Sequence, residues 1–197
     1  VTIRDVCPDF PHLAELPERG PGAEMIGRTM GLISQIASDF SVSTVPTGWR
    51  LTSARGKDML RAASFMSNDL DEIEAVYEGY EGDFKIQVVG PWTLAASVEI
   101  RSGEKLLRDL GAVSDLAQAL ASAVESHVAD VARRLPSARI AVQFDEPLLR
   151  DVLRGSVPTQ SGWAAYAEVE PATVGETLKL VRSAHSGTTI VHSCADE

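Results

Sequence analysis

Three short runs of β-branched and apolar residues, separated by long segments with helical periodicity, constrain the fold of this chain most strongly. The runs cover residues 85–89, 139–144 and 188–192, and a weaker candidate covers residues 12–16 before Pro17. Strands that alternate with helices pair in parallel, because each return to the sheet needs a long crossover connection. The sequence therefore predicts an α/β fold, built either as an open doubly wound sheet or as a barrel.

Apolar residues spaced alternately by three and four positions predict the helices between these strands. One such stripe runs over residues 59–80, a second over 113–131 and a third over 174–181. A further helix is expected over about residues 23–40. Its predicted inward-facing residues are Met25, Ile26, Met30, Ile33 and Ile36.

The charge and the cysteine content narrow the possible partners and the compartment. The chain has 197 residues and a net charge of -10, whereas binding to nucleic acid or to an anionic membrane surface needs a cationic face. We therefore expect neither nucleic acid nor a membrane as a partner. No run of 18 apolar residues is present to span a bilayer. The two cysteines, Cys7 and Cys194, lie far apart and form no disulfide framework, which favours a reducing cytoplasm.

Polar residues follow each of the three main strand candidates. Residues 90–93 follow the first candidate and residues 145–147 follow the second. The third candidate ends at His192, which is followed by residues 193–194. In parallel α/β folds the chemistry lies at the C-terminal ends of the strands. No glycine-rich phosphate loop follows any of them, which weakens a nucleotide-binding version of the fold. We therefore expect a functional site of another kind at this edge.

His192 and Cys194 form the sharpest motif at these strand ends. Side chains alternate along a strand, so the imidazole and the thiol point the same way while Ser193 points away. Nitrogen and thiolate sulfur together suit zinc. The alternative is a chance match, in which Cys194 serves as a small apolar residue. A structural zinc site also needs two more ligands, and the sequence shows no second cluster of cysteine and histidine.

Asp145 and Glu146 lie where Pro147 ends the second main strand. If Gln143 faces the functional side, Asp145 does too, and Glu146 takes the other face. A carboxylate there can bind a substrate ammonium or transfer protons; the alternatives are a helix cap and a solvated pair at the rim. Trp92 can stack on a flat ligand, but a core position beneath the loop is the favoured interpretation.

Four segments, in this order, resemble the catalytic domain of cobalamin-independent methionine synthase, and most closely its short single-domain bacterial and archaeal branch. They are HLAELPERGPGAEMIG at 12–27, GPWTLA at 90–95, VQFDEP at 142–147 and VHSC at 191–194. The likeness runs over nearly the whole chain, and four ordered motifs are more specific than any one of them. The wider superfamily includes uroporphyrinogen decarboxylase and uses a TIM (β/α)8 barrel. Residues 1–197 are then expected to form a single, partial TIM-barrel catalytic domain, with the first strand before Val1 and the last strands beyond Glu197.

The resemblance implies a zinc-dependent methyltransferase that methylates the thiol of homocysteine to give methionine. His192 and Cys194 match the first two zinc ligands of the family, whose remaining glutamate and cysteine ligands are expected beyond Glu197. Asp145 matches the aspartate that holds the amino group of homocysteine. Glu15 is the nearest match to a second glutamate that assists it, with a spacing from His12 that differs by one residue.

The resemblance leaves the methyl donor open. Folate-using members carry a tryptophan that stacks on the pterin, but the matching position here is about Ser97, five residues from Trp92. The donor is therefore either methyltetrahydrofolate or a methyl-corrinoid carrier protein. Two other functions also stay open: a metal-free barrel enzyme resembling uroporphyrinogen decarboxylase, and a catalytically silent module that binds an amino acid.

Overall fold

A computed structural model describes residues 3–194 and contains two three-stranded sheets. The strands are β1 Val42–Val45, β2 Gly48–Leu51, β3 Gly82–Val89, β4 Val98–Glu99, β5 Ala138–Asp145 and β6 Thr189–His192. The helices are α1 Ile3–Val6, α2 Met25–Ile36, α3 Lys57–Val76, α4 Pro91–Ser97, α5 Leu110–Arg134, α6 Leu149–Arg154 and α7 Pro171–Arg182.

The larger sheet has the order β3-β5-β6, and both of its strand pairs are parallel. Its strands correspond to the three main strand segments that the sequence predicted, with β6 beginning one residue later, at Thr189. Apolar side chains such as Ile86 and Val142 fill one face and are fully buried, and helices α2 and α5 pack against β3 and β5. Because side chains alternate along each strand, the opposite face is polar. It carries Lys85, Gln87, Gln143, Asp145 and His192.

The smaller sheet was not predicted from the sequence. Strands β1 and β2 form an antiparallel hairpin, and β2 pairs in parallel with the two-residue strand β4. Arg50 Nη2 lies 2.6 Å from Glu99 Oε2 across that parallel pair. Trp49 Nε1 donates to Glu24 Oε1 at 2.7 Å, at the start of α2. Each strand has at most four residues, which is too short for a clear alternating pattern.

The expected TIM (β/α)8 barrel, whole or partial, is wrong for the described residues. They contain six strands in two separate sheets, whereas a (β/α)8 barrel has eight parallel strands paired into one closed sheet. The weak strand candidate at residues 12–16 contributes only a single bridge, between His12 and Lys85. The structure is instead an α/β domain in which helices connect open sheets.

Two of the predicted helices are shorter than their apolar patterns. Helix α2 ends at Ile36 because Ala37 takes an extended conformation (φ -127°), and Ile36 is 50% exposed rather than facing inward. Helix α3 ends at Val76, so that Tyr77 and Tyr80, the last members of its stripe, lie in the turn before β3. The helices predicted around 113–131 and 174–181 correspond to α5 and α7.

Candidate functional site

The polar face of the larger sheet brings three predicted site residues together. Asp145, the last residue of β5, is the register partner of His192, the last residue of β6. His192 Nδ1 lies 3.0 Å from Asp145 Oδ1, and Cys194 Sγ lies 3.6 Å from His192 Nε2. The three side chains thus form a row in which His192 contacts both of the others. The Asp145 side chain is only 13% exposed and the His192 side chain 54% exposed, so the row runs from a mostly covered carboxylate to an exposed imidazole.

The same carboxylate ends a chain of hydrogen bonds that crosses the sheet. Gln143 Nε2 donates to Asp145 Oδ1 at 2.6 Å, and Lys85 Nζ donates to Gln143 Oε1 at 2.8 Å. The sequence predicts only that Gln143 and Asp145 share a face, and it gives Lys85 no role beyond its strand. One sequence signal could have pointed to Lys85: polar residues occur at alternate positions of two otherwise apolar strands, which indicates a shared polar face.

His192 and Cys194 fit two of the four donor positions of a zinc site. An imidazole nitrogen and a thiol sulfur are the donors that zinc selects. The carboxylate on the other ring nitrogen is the partner that ligating histidines usually have. Within residues 3–194, no group of three or more histidine, cysteine, aspartate or glutamate side chains is placed to hold a metal. The glutamate and cysteine ligands expected beyond Glu197 lie outside the described residues.

Glu15 lies near enough to Asp145 for the two carboxylates to interact. Burial raises the pKa of Glu15, and the negative charges of Asp145 and Glu24 raise it further, while the Arg28 guanidinium and a hydrogen bond with Gln87 act in the opposite direction. Two carboxylates that destabilise each other's charge are stabilised by a cation between them. Asp145 is thus one of several charged groups whose field acts on Glu15.

Glu15 also lines an open cavity of about 420 Å³. His12, Leu16 and Tyr77 contribute to its walls. Burial, followed by the nearby charge of Lys85, lowers the pKa of His12.

Glu146 is turned away from the row, as the strand alternation predicted, and its side chain is completely buried. Its carboxylate accepts hydrogen bonds from the backbone N–H groups of Trp92 (3.0 Å) and Thr93 (2.7 Å), in the first turn of α4. Burial raises the pKa of Glu146 to about 7, although both backbone bonds lower it. The helix-cap interpretation is thus correct for Glu146. Trp92 is only 1% exposed, which confirms its core position.

Comparison of the chain with protein-family models, with curated proteins and with solved structures finds no match. The resemblance to cobalamin-independent methionine synthase, and the substrate, donor and zinc that it implies, therefore stay predictions. Among residues 3–194, no helix is both long enough and apolar enough to cross a membrane.

Proposed function

We propose that the protein is a zinc-dependent methyltransferase that methylates the thiol of homocysteine to form methionine. The observation that carries the proposal is the row formed by Asp145, His192 and Cys194, with contacts of 3.0 Å and 3.6 Å. In this row one nitrogen donor and one sulfur donor lie side by side, and a carboxylate is hydrogen-bonded to the other nitrogen of the imidazole. That is the arrangement expected of half a catalytic zinc site and its outer partner.

His192 and Cys194 are the residues that would hold the metal, through Nε2 and Sγ. When bound, zinc supplies the positive charge that keeps a coordinated thiol deprotonated at neutral pH. Asp145 Oδ1 accepts a hydrogen bond from Nδ1 of His192, which directs the other ring nitrogen, Nε2, toward Cys194. The remaining donors come from outside residues 3–194 in this proposal.

Asp145 and Glu15 would recognise the amino group of the substrate. Both described side-chain hydrogen bonds of Asp145 use Oδ1, so we assign Oδ2 to the substrate ammonium. A positive charge placed near both carboxylates offsets their mutual repulsion. Homocysteine carries its ammonium and its thiol at opposite ends of a three-carbon chain. The His192 ring separates Asp145 from Cys194 in the same way, so one substrate can reach both ends of the row.

In the reaction, the sulfur of homocysteine forms a bond to the methyl carbon while the bond between that carbon and its carrier breaks. The electron pair of the broken bond leaves with the carrier. The carrier is methyltetrahydrofolate or a methyl-corrinoid protein; Trp92 is buried in the core and does not provide a stacking surface for a pterin. Cys7 and Cys194 are both free, exposed thiols, and we place the reaction in a reducing cytoplasm.

Zinc content is the direct test. Elemental analysis of the full chain, purified with zinc present, is expected to give near-stoichiometric metal that is lost in His192→Ala and in Cys194→Ser. Cys7→Ser is the matched control, because it removes the other exposed thiol and should keep its zinc. Zinc-free wild-type protein, or a Cys194→Ser variant that retains its metal, would rule out the proposed site. Homocysteine binding without zinc and without turnover would instead identify an amino-acid-binding module.

The same three residues also support a second candidate function, in which Cys194 is a catalytic nucleophile. Cys194, His192 and Asp145 follow one another in the order of a nucleophilic thiol, a general base and a carboxylate that orients the base. In this version Cys194 Sγ forms a bond to the substrate, the bond between that substrate atom and its leaving group breaks, and His192 passes the thiol proton to the leaving group. Alkylation of zinc-stripped protein by iodoacetamide separates the two candidates. The nucleophile candidate is favoured if the wild-type protein binds no zinc and iodoacetamide alkylates Cys194 much faster than Cys7. The fast alkylation of Cys194 should then be lost in His192→Ala.

A further inference from the structure

The orientation of the Gln143 amide is fixed by its two neighbours. Lys85 can only donate hydrogen bonds, so the Gln143 atom that it contacts at 2.8 Å must be the oxygen. The amide nitrogen is then the atom 2.6 Å from Asp145 Oδ1, where it donates. The lysine on β3 thus determines which end of the glutamine on β5 faces the carboxylate.

The position of the His192 proton follows from the same contacts. An ionised carboxylate only accepts hydrogen bonds, so the ring nitrogen 3.0 Å from Asp145 Oδ1 must carry a hydrogen. In the neutral imidazole the other nitrogen then has the lone pair. That nitrogen, Nε2, is the one that faces Cys194 Sγ at 3.6 Å.

We infer that Gln143 and Lys85 are positioning residues, which hold the Asp145 carboxylate against His192 and so keep the imidazole proton on Nδ1. The Nε2 lone pair is thereby kept on the side of Cys194. The role of that lone pair as a metal donor rests on the proposed function, whereas the placement of the proton does not. Neither residue contacts His192 in this arrangement, and both act through Asp145.

The arrangement has a matched control within the same sheet. Gln87 on β3 is the register partner of Gln143 on β5, so the two amides lie on the same face. Gln87 Nε2, however, donates to the backbone oxygen of Leu13 at 2.6 Å, and the side chain also makes a hydrogen bond with Glu15. Gln87→Leu removes a similar amide from the same face but leaves the chain from Lys85 to His192 in place.

The test is the tautomer of His192 in the zinc-stripped full chain, read from long-range proton–nitrogen NMR spectra at alkaline pH. The His192 signals are assigned by their loss in His192→Ala. Wild-type protein and Gln87→Leu are expected to show the Nδ1–H form almost alone, while Gln143→Leu shows a mixture of both tautomers. Gln143→Glu should behave like Gln143→Leu, because it still accepts from Lys85 but presents no N–H to Asp145. A smaller change in the same direction is expected in Lys85→Met.

Zinc affinity is measured separately on the same variants. If the proposed function is also correct, Gln143→Leu should weaken zinc binding about tenfold, at the lower end of the effect of removing outer partners of a ligating histidine. The inference is overturned if wild-type His192 carries its proton on Nε2, if Gln143→Leu leaves the tautomer unchanged, or if Gln87→Leu shifts it equally. A wild-type protein that binds no zinc but shows the expected tautomers would refute the proposed function and leave this inference standing.

Discussion

Asp145 and His192 are register partners in neighbouring parallel strands, and their side chains meet at a distance of 3.0 Å between Oδ1 and Nδ1. The backbone pairing alone puts both side chains on the same face of the sheet. A slip of one residue in β6 would turn His192 to the opposite, apolar face. The candidate site therefore depends on the register of one strand pair.

Removal of the Asp145 carboxylate is expected to weaken zinc binding without removing a ligand. Asp145→Ala leaves Nδ1 of His192 without its acceptor, and loss of such a partner lowers metal affinity about 10- to 100-fold. Competition with a chromophoric chelator measures the change. Asp83→Ala is the control, since Asp83 lies on the same face but pairs with Arg139 at 2.8 Å. Wild-type affinity in Asp145→Ala would contradict the assigned role of the carboxylate.

Neutralisation of Glu15 is expected to weaken the binding of homocysteine but not the binding of a ligand that lacks the amino group. Glu15→Gln removes one of the two negative charges near the ammonium, and a hydrogen bond to a charged group contributes about 1.5–3 kcal/mol. Calorimetry should show affinity for homocysteine reduced about tenfold or more. Affinity for 4-mercaptobutanoate, which lacks the amino group, should be unaffected. Glu18→Gln, in the same loop, is the control; an equal loss for both ligands would count against an ammonium site.

Addition of a methyl group at Gly90 is expected to destabilise the fold. A Cβ there would lie 2.3 Å from Glu146 Oε1, so the buried carboxylate would have to move away from the first turn of α4. Overpacking of this kind costs about 1–3 kcal/mol. Gly175→Ala in α7 is the control, because its Cβ meets nothing within 4 Å and should stabilise the protein by about 0.4–1 kcal/mol. Urea unfolding of both variants measures the difference, and a neutral Gly90→Ala would show that Glu146 is free to shift.

Two buried groups are expected to give opposite pH dependences of stability. Burial raises the pKa of Glu146 from 4.5 to about 7, so its favourable contribution is complete below the lower value and is lost as the pH rises through the higher one. Burial, assisted by the charge of Arg28, lowers the pKa of His127 from 6.5 to about 4. The contribution of His127 is complete above 6.5 and is lost as the pH falls toward 4. The two windows overlap, so the effects largely cancel in the wild type.

Single variants should reveal the separate pH dependences of the free energy of unfolding that Glu146 and His127 contribute. In Glu146→Gln the free energy of unfolding should rise with pH across the window of His127, relative to the wild type. In His127→Gln it should fall with rising pH across the window of Glu146. Each change is on the order of 3 kcal/mol, because one pKa unit corresponds to about 1.4 kcal/mol. Urea titrations at several pH values provide the measurement, and parallel curves for the wild type and either variant would contradict the assigned shift.

Local patterns in the chain were sufficient to locate the strands of the larger sheet and to predict the directions of their side chains. Alternation along a strand is a local property, so the spacing of two residues was enough to put His192 and Cys194 on one side and to separate Asp145 from Glu146. The long helices α5 and α7 were equally predictable, because their periodic apolar residues lie close together in the chain. These local rules gave no information on which strands pair.

The closure of the sheets and the partners of the polar residues depend on contacts between distant segments, which local patterns do not encode. The predicted barrel failed because closure depends on how strands distant in sequence pair, and the described strands pair as two open sheets. Lys85 and Gln143 are separated by 58 residues, yet they form one hydrogen bond. Glu146 caps a helix that begins more than 50 residues earlier. The parallel register of β3, β5 and β6 supplies the physical reason, because it brings residues that are distant in sequence to neighbouring positions on the sheet and at its edge.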